Sequence, residues 1–586
     1  MQAIREAFKS GVLEVSFLLK HRRPAAVKGG SEDTWKMAAI RIKPALKLVF
    51  AWLFLNILMN FNYPAQEQNL TSLFLISPEV LFIFGALCTA IWLGMPFHWA
   101  IYSPLNAIVI FFRFFRVADE LVPMYFFRPF NLYIDSHFLP DLMHLLYNTL
   151  PLKTFITYSL LGLLLTVGMI FGIWWSFKAV HQFFAGIEHR RFILVTIIAV
   201  FGIQLLFSAA AANRLAPKFH KGFFHRIVEE VDFILHVKGY RIQKLQAINQ
   251  STRKLQQTPR SLDKLGHSDV YLIFIESYGH TIFEDSHHLS LLRPILKQYE
   301  TELAAKGFYV YSSFLRSPAL GGSSWLAHGT VASGVALCSQ LFYDLLVTSN
   351  AETIAHIFNQ AGYRTISVMP GTQWPWPEGK FFGYQKHYFA WDFEYGGPKF
   401  GWSPMADQYV LQDIYQKEIL PRTQPLFIEF VLTSSHAPFH RQPPYLENWD
   451  QIGDGSIYHR RKAITFPVVW PDLTNASEAY VTSIIYEIRV LKNFIERFIK
   501  DDTLMIIMGD HQPNVQITGP ASSWSVPVHV ISRNKGFLDP FESRGYTPGL
   551  IPRQPPPHPG METVLFDFLK SFSSPDNQSN SPARPF

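Results

Sequence analysis

Cysteine is nearly missing from this chain: two stand in 586 residues, Cys88 and Cys338. The first lies inside an apolar stretch and the second far from it, which excludes a disulfide framework and a cysteine zinc site. Charge is scarce too, at 17% Asp, Glu, Lys and Arg against 48% hydrophobic and 15% aromatic residues. That balance leans towards a membrane protein with a soluble part. No short apolar core with a small-residue cleavage site follows the start, so no cleavable signal peptide is expected. The net charge of +7 does not point to nucleic acid. Arg5, Lys9, Lys20, Arg22, Arg23, Lys28, Lys36, Arg41, Lys43 and Lys47 precede or open the first apolar stretch, where a topology signal belongs.

Apolar segments at 44–62, 80–97, 98–112, 154–177 and 192–213 approach or exceed the ~18–20 residues that cross a bilayer, apart from 98–112, which is short and broken by Pro104. Residues 63–79 lack Lys and Arg, as an outside loop should, whereas Lys178, Arg190 and Arg191 suit the inside. Five transmembrane helices satisfy this pattern. The expected organisation is a cytoplasmic basic segment (1–43), a transmembrane domain (44–213), a linker at the membrane surface (214–266), an extracytoplasmic domain (267–572) and a disordered tail (573–586). The tail is rich in Ser, Pro and Asn.

From residue 267 the pattern alternates. Apolar runs at Val270–Ile275, Tyr309–Phe314, Thr365–Met369, Leu426–Leu432, Leu504–Met508 and Val526–Ile531 read as buried strands. Helical spacing marks Leu289–Ala305, Ala351–Ala361, Ala406–Leu420 and Ser477–Ile499. The alternation implies an α/β domain with a mostly parallel central sheet, whose ligand site lies beyond the carboxyl ends of the strands.

Glu276 follows the first run directly, and Asp510-His511 follows Leu504–Met508 through Gly509. Between them, Gly321-Gly322-Ser323-Ser324 puts a hydroxyl at a helix start, where unpaired N–H groups favour phosphate; a plain serine cap has the same appearance. A carboxylate, an adjacent carboxylate and imidazole, and a serine are what one divalent metal (Mn, Mg or Zn) needs to activate a hydroxyl against a phosphate or sulfate ester. His328, one turn after Ser324, either faces this site or packs.

These motifs, Ile275-Glu276-Ser277, Gly321-Gly322-Ser323-Ser324 and Gly509-Asp510-His511, resemble the sulfatase-like branch of the alkaline phosphatase superfamily. Five spans followed by an extracytoplasmic domain resemble lipoteichoic acid synthase and related envelope phosphoglycerol transferases. Trp325-Leu326-Ala327-His328-Gly329-Thr330-Val331-Ala332-Ser333 is similar to the glucan-modifying phosphoglycerol transferases.

The resemblance implies a multi-pass protein of the bacterial inner (plasma) membrane with a periplasmic or extracellular catalytic domain. It implies a metal held by Glu276, Asp510, His511 and the nucleophile. Counting back from Ser333 favours Ser323 by the synthase pattern and Ser324 by the sulfatase and phosphoethanolamine-transferase patterns; Ser324 is preferred. His436, Trp374 and Lys380 would bind substrate, Lys380 standing where the family has an arginine. The implied reaction moves a phospholipid head group, phosphoglycerol first, to a glycan or lipid acceptor through a phospho-serine. The alternatives are a phosphodiesterase or sulfatase-type hydrolase, a phosphoethanolamine transferase, and a non-catalytic lipid-binding envelope protein. The Cys/Ser-x-Pro-x-Arg signature of sulfatases is missing after Ser324, and Glu276 stands alone where sulfatases carry paired aspartates.

Overall fold

The computed structural model describes residues 31–61, 76–126, 128–185, 224–468, 475–499, 501–519 and 522–575, with Leu73 and Val195 as isolated positions. The chain divides into two compact units, one of 1–61, 67–113 and 163–222, the other of 62–66, 114–162 and 223–586.

Five spans are not what the structure shows. Among the described residues one helix, Leu152–Ala185, is long and apolar enough to cross a membrane. The segment at 80–97 becomes the helix Pro78–Trp92, whose 15 residues reach only ~22 Å against a hydrocarbon core of ~30 Å. The first segment contributes an apolar helical stretch of similar shortness, Pro44–Asn60. Residues 98–112 run on into a 28-residue helix, Trp99–Phe126, which carries Arg113, Arg116, Asp119 and Glu120. The segment 192–213 lies outside the described residues apart from Val195. The multi-pass placement falls with that count.

The second unit is built on an eight-stranded sheet. Its strands are β1 (Val270–Ile275), β2 (Tyr309–Arg316), β3 (Arg364–Met369), β4 (Lys386–Phe389), β5 (Leu426–Leu432), β8 (Leu504–Gly509), β9 (Ser525–Ser532) and β10 (Thr547–Pro548), in the order β10-β2-β9-β8-β1-β5-β3-β4. A separate two-stranded ribbon pairs β6 (Arg441–Gln442) with β7 (Ile464–Thr465).

The sheet is mixed, which corrects the expectation of a mostly parallel one. Strands β8, β1, β5, β3 and β4 run parallel, whereas β9, β2 and β10 add on antiparallel. Parallel neighbours need a crossover; among its described residues the segment from β8 to β9 holds only a four-residue helix, Val515–Thr518, and β9 pairs with β8 antiparallel.

Both faces of the sheet are covered, so β1 is buried at all six positions. Its alternation sends Tyr271, Ile273 and Ile275 into one core, shared with the helices Ser286–Ala305, Asp407–Ile414 and Ser477–Phe498. Val270, Leu272 and Phe274 enter the other, shared with the helices Ser324–Ser333, Ile354–Gln360 and Val564–Phe572. Packed from both sides, the strands can end in polar residues only at their exits. Ile275 pairs with Gly509 on one side and Leu432 on the other, so β1, β8 and β5 all end at one level.

Candidate active site

Two of those exits interlock. A side chain on Gly509 would put its Cβ 1.8 Å from the carbonyl oxygen of Tyr278, so only glycine lets the turn after β1 lie against the end of β8. Ser277, at φ 59°, points its N–H at Oδ1 of Asp510, 2.8 Å away, and the N–H of His511 reaches the same oxygen at 2.6 Å. Tyr480 closes the turn from outside, its hydroxyl donating to the Ser277 carbonyl at 3.0 Å.

The Gly321–Ser324 loop is held on the same edge. Gly321, Gly322 and Ser323 have φ values of 71°, 146° and 62°, a left-handed run that two glycines make cheap. The carbonyl of Gln512 accepts from the N–H of Gly321 at 2.9 Å and from Nδ1 of His511 at 2.7 Å. One acceptor thereby anchors the loop and fixes the histidine tautomer, leaving Nε2 of His511 to face the site. The side chain of Ser323 makes no capping bond to the helix that follows, which sets aside the plain serine cap.

Ser324 therefore arrives beside both strand exits. Its Oγ lies 3.0 Å from Oε2 of Glu276 and 3.1 Å from Nε2 of His511. That nitrogen is also 3.1 Å from Oε1 of Glu276 and 3.8 Å from Oδ2 of Asp510. Ligand atoms of Glu276, Asp510 and His511 lie within 4.8 Å of one another, and all three residues are buried.

Burial and the Glu276 charge push Asp510 well above the usual carboxylate range. At Glu276 burial acts in the same sense, but His511 and His436 outweigh it and hold the group well below that range. Burial acts against the charged form of His511, yet Asp510 and Glu276 raise it to about 9. Oδ2 of Asp510 is buried without a hydrogen-bond donor. A proton-retaining cluster with one orphaned carboxylate oxygen fits a divalent cation, whose charge replaces those protons. The mixed oxygen and nitrogen set suits zinc, manganese or magnesium.

His436 stands at the third exit, after β5. Its Nδ1 donates to the Ala437 carbonyl at 2.6 Å, and burial lowers its pKa. The ring lies flat on Trp402, with centroids 3.9 Å apart. Trp402 went unnoticed in the sequence; it comes from a loop beyond β4 and no strand exit marks it. Gly371 makes room for it, since a Cβ there would meet the indole at 2.9 Å. Trp374 is 60% exposed, and Lys380, on the short helix Gly379–Phe382, is exposed and forms none of the bonds that assemble the four-residue centre. His328 packs its ring against Phe274 at 4.3 Å, and burial lowers its pKa to about 4.

The centre is thus a serine hydroxyl beside a candidate metal site at the parallel end of a mixed sheet, an arrangement that resembles the alkaline phosphatase superfamily. The sulfatase family profile matches residues 338–542, which include His436 and the Asp510-His511 pair but neither Glu276 nor Ser324. The chain resembles the sulfatase-like branch of that superfamily, as its motifs imply.

No curated protein matches the chain. Among solved structures it is similar to the lipoteichoic acid synthase LtaP from Listeria monocytogenes (12% identity, 53% of this chain and 75% of that one, TM-score 0.33). It is also similar to the lipooligosaccharide phosphoethanolamine transferase EptA from Neisseria meningitidis (10%, 85% and 95%, 0.43). A third is the Streptococcus pyogenes phosphoglycerol transferase GacH in complex with sn-glycerol-1-phosphate (14%, 49% and 75%, 0.31).

Proposed function

We propose that this protein transfers a phospholipid head group, phosphoglycerol first, to a glycan or lipid acceptor by way of a phosphorylated Ser324. The observation that carries this reading is the position of the Ser324 hydroxyl, within hydrogen-bond range of both Glu276 and His511 at the start of a helix.

Glu276, Asp510, His511 and Ser324 would hold the cation, which when bound lowers the serine pKa and draws charge from the phosphoryl oxygens. Ser324 Oγ attacks the phosphodiester phosphorus. The bond to the diacylglycerol oxygen breaks, and that oxygen leaves with the proton given up by the serine. An acceptor hydroxyl then attacks the same phosphorus, Oγ departs, and the acceptor's proton restores the serine. Splitting one displacement into two is the benefit of a covalent intermediate. In this reading His436, near enough for its charge to act on Glu276, would contact the phosphate. Trp374 and Lys380 belong to the segment that would meet the head group.

The test is diacylglycerol release from labelled phosphatidylglycerol in the presence of Mn²⁺, with mass spectrometry of the quenched protein. A phosphoglycerol adduct on Ser324 is expected. Steady release with no adduct and no acceptor product would make the protein a phosphodiesterase.

A further inference from the structure

Two acids that this reaction does not use lie beneath the loop carrying His436. Asp407 opens the helix Asp407–Ile414, Glu487 sits in the middle of Ser477–Phe498, and both side chains are fully buried. Oδ2 of Asp407 accepts from the N–H groups of Thr433 at 2.8 Å and Ser434 at 2.5 Å, while the N–H of Asp407 donates to Ser434 Oγ at 3.2 Å. The remaining oxygen of Asp407 has no donor, and neither oxygen of Glu487 receives a full hydrogen bond, although the N–H groups of Ser434 and Ser435 bear on that carboxylate. Among the described residues no Lys, Arg or His forms an ion pair with either acid, and the two carboxyl groups face each other at hydrogen-bond range.

Two ionised carboxylates cannot rest that way in a buried site without a compensating cation. One proton between them resolves the conflict and supplies the missing donor. Burial raises both groups, and at Glu487 the Asp407 charge adds to it.

The loop above is tied down at each step. Thr433 Oγ1 meets Ser403 Oγ at 2.8 Å, Ser435 Oγ donates to the Glu276 carbonyl at 2.7 Å, and the next residue is His436 on its Trp402 platform. The acid pair on one side and the backbone of a metal ligand on the other thus bracket a four-residue segment. Resting on the phosphotransfer reading of the centre, we propose that Asp407 and Glu487 share one proton and act as positioning residues, holding Thr433–His436 so that His436 meets the substrate phosphate.

Infrared spectroscopy tests the shared proton without any assay of activity. In the wild-type minus Glu487→Gln difference spectrum of the Mn²⁺-loaded protein at pH 7, one protonated-carboxyl component is expected, over and above any band from other buried acids such as Glu429. Its absence, or a second equivalent of metal lost in Glu487→Gln, would overturn the proposal.

Positioning is tested by the affinity of the Mn²⁺-loaded protein for inorganic phosphate. Glu487→Met, which can neither donate nor share a proton, should weaken binding roughly tenfold while His436 is present and change it little in a His436→Ala background. Additive effects would mean that Glu487 does not act through His436. Should Glu487→Met fail to fold, Asp407→Ala in the same cycle decides between these outcomes, because it removes the acceptor of the Thr433 and Ser434 N–H groups. If phosphate binds and couples in this way while no diacylglycerol is released, the positioning stands and the head-group reading fails.

Discussion

Ser324 Oγ and Glu276 Oε2 are 3.0 Å apart, joined across 48 residues of sequence. On the proposed mechanism this hydroxyl is the nucleophile and Glu276 a ligand of the cation. Ser324→Ala should abolish adduct formation and diacylglycerol release, while metal binding falls by no more than the loss of one ligand. Ser323→Gly should retain activity and equal or exceed the wild type in stability, because Ser323 is left-handed and caps nothing. Thermal melts and the transfer assay on both variants check this. An inactive Ser323→Gly beside an active Ser324→Ala would move the nucleophile by one residue.

Metal should be felt as stability. A ligand at one hundred times its Kd stabilises a fold by ~2.7 kcal/mol. Mn²⁺ or Zn²⁺ should therefore raise the Tm of the wild type by several degrees. Asp510→Asn should remove that rise without destabilising the metal-free protein, since the orphaned Oδ2 gains donor character. Scanning calorimetry with and without chelator gives the comparison.

His529 sets part of the acid limit. Its Nε2 meets the Tyr278 hydroxyl at 3.0 Å and its Nδ1 meets Ser312 Oγ at 2.7 Å. The Ser312 hydroxyl donates to the Gly549 carbonyl at 2.5 Å and so accepts from Nδ1, and the neutral ring is satisfied on both sides, with Nε2 accepting from Tyr278. Burial lowers this pKa from 6.5 to about 3. The unfolded chain takes up the proton first, so stability falls as pH drops through 6.5 and this contribution levels off near 3. The slope is at most about 1.4 kcal/mol per pH unit. Urea unfolding at pH 7, 5.5 and 4 should show it, and His529→Gln should flatten it.

Gly509→Ala should do more harm than its size suggests. The methyl group would collide with the Tyr278 carbonyl, and backbone must move to admit it. We expect a loss of about 1–3 kcal/mol together with weakened metal binding, since Asp510 is the next residue. Paired denaturation and metal titration would separate the two effects; unchanged metal affinity would show that the strand end yields without moving its ligand.

Glu276 and the Asp510-His511 pair were legible because each follows an apolar run that could only be a buried strand, and the strand exits align. The direction of β9 was not, since Val526–Ile531 reads the same in either sense and only the short return from β8 decides it. Trp402 was hidden because stacking on His436 is made between loops distant in sequence. Helix Trp99–Phe126 outran its apolar stretch because its polar part has partners of its own, such as the pair of Asp119 with Arg226 at 3.0 Å. Hydropathy reports none of these.

The hydrogen bond from Ser277 to Asp510 spans 233 residues. Strands β1 and β8 must come together across nearly the whole domain before Glu276 meets Asp510 and His511, and closing so long a loop is a costly step in folding. A slip of one residue between these strands would part the ligands. Tight metal binding is therefore a late event that selects chains whose central register is right, and uptake of the ion can serve as a clock for completion of the domain.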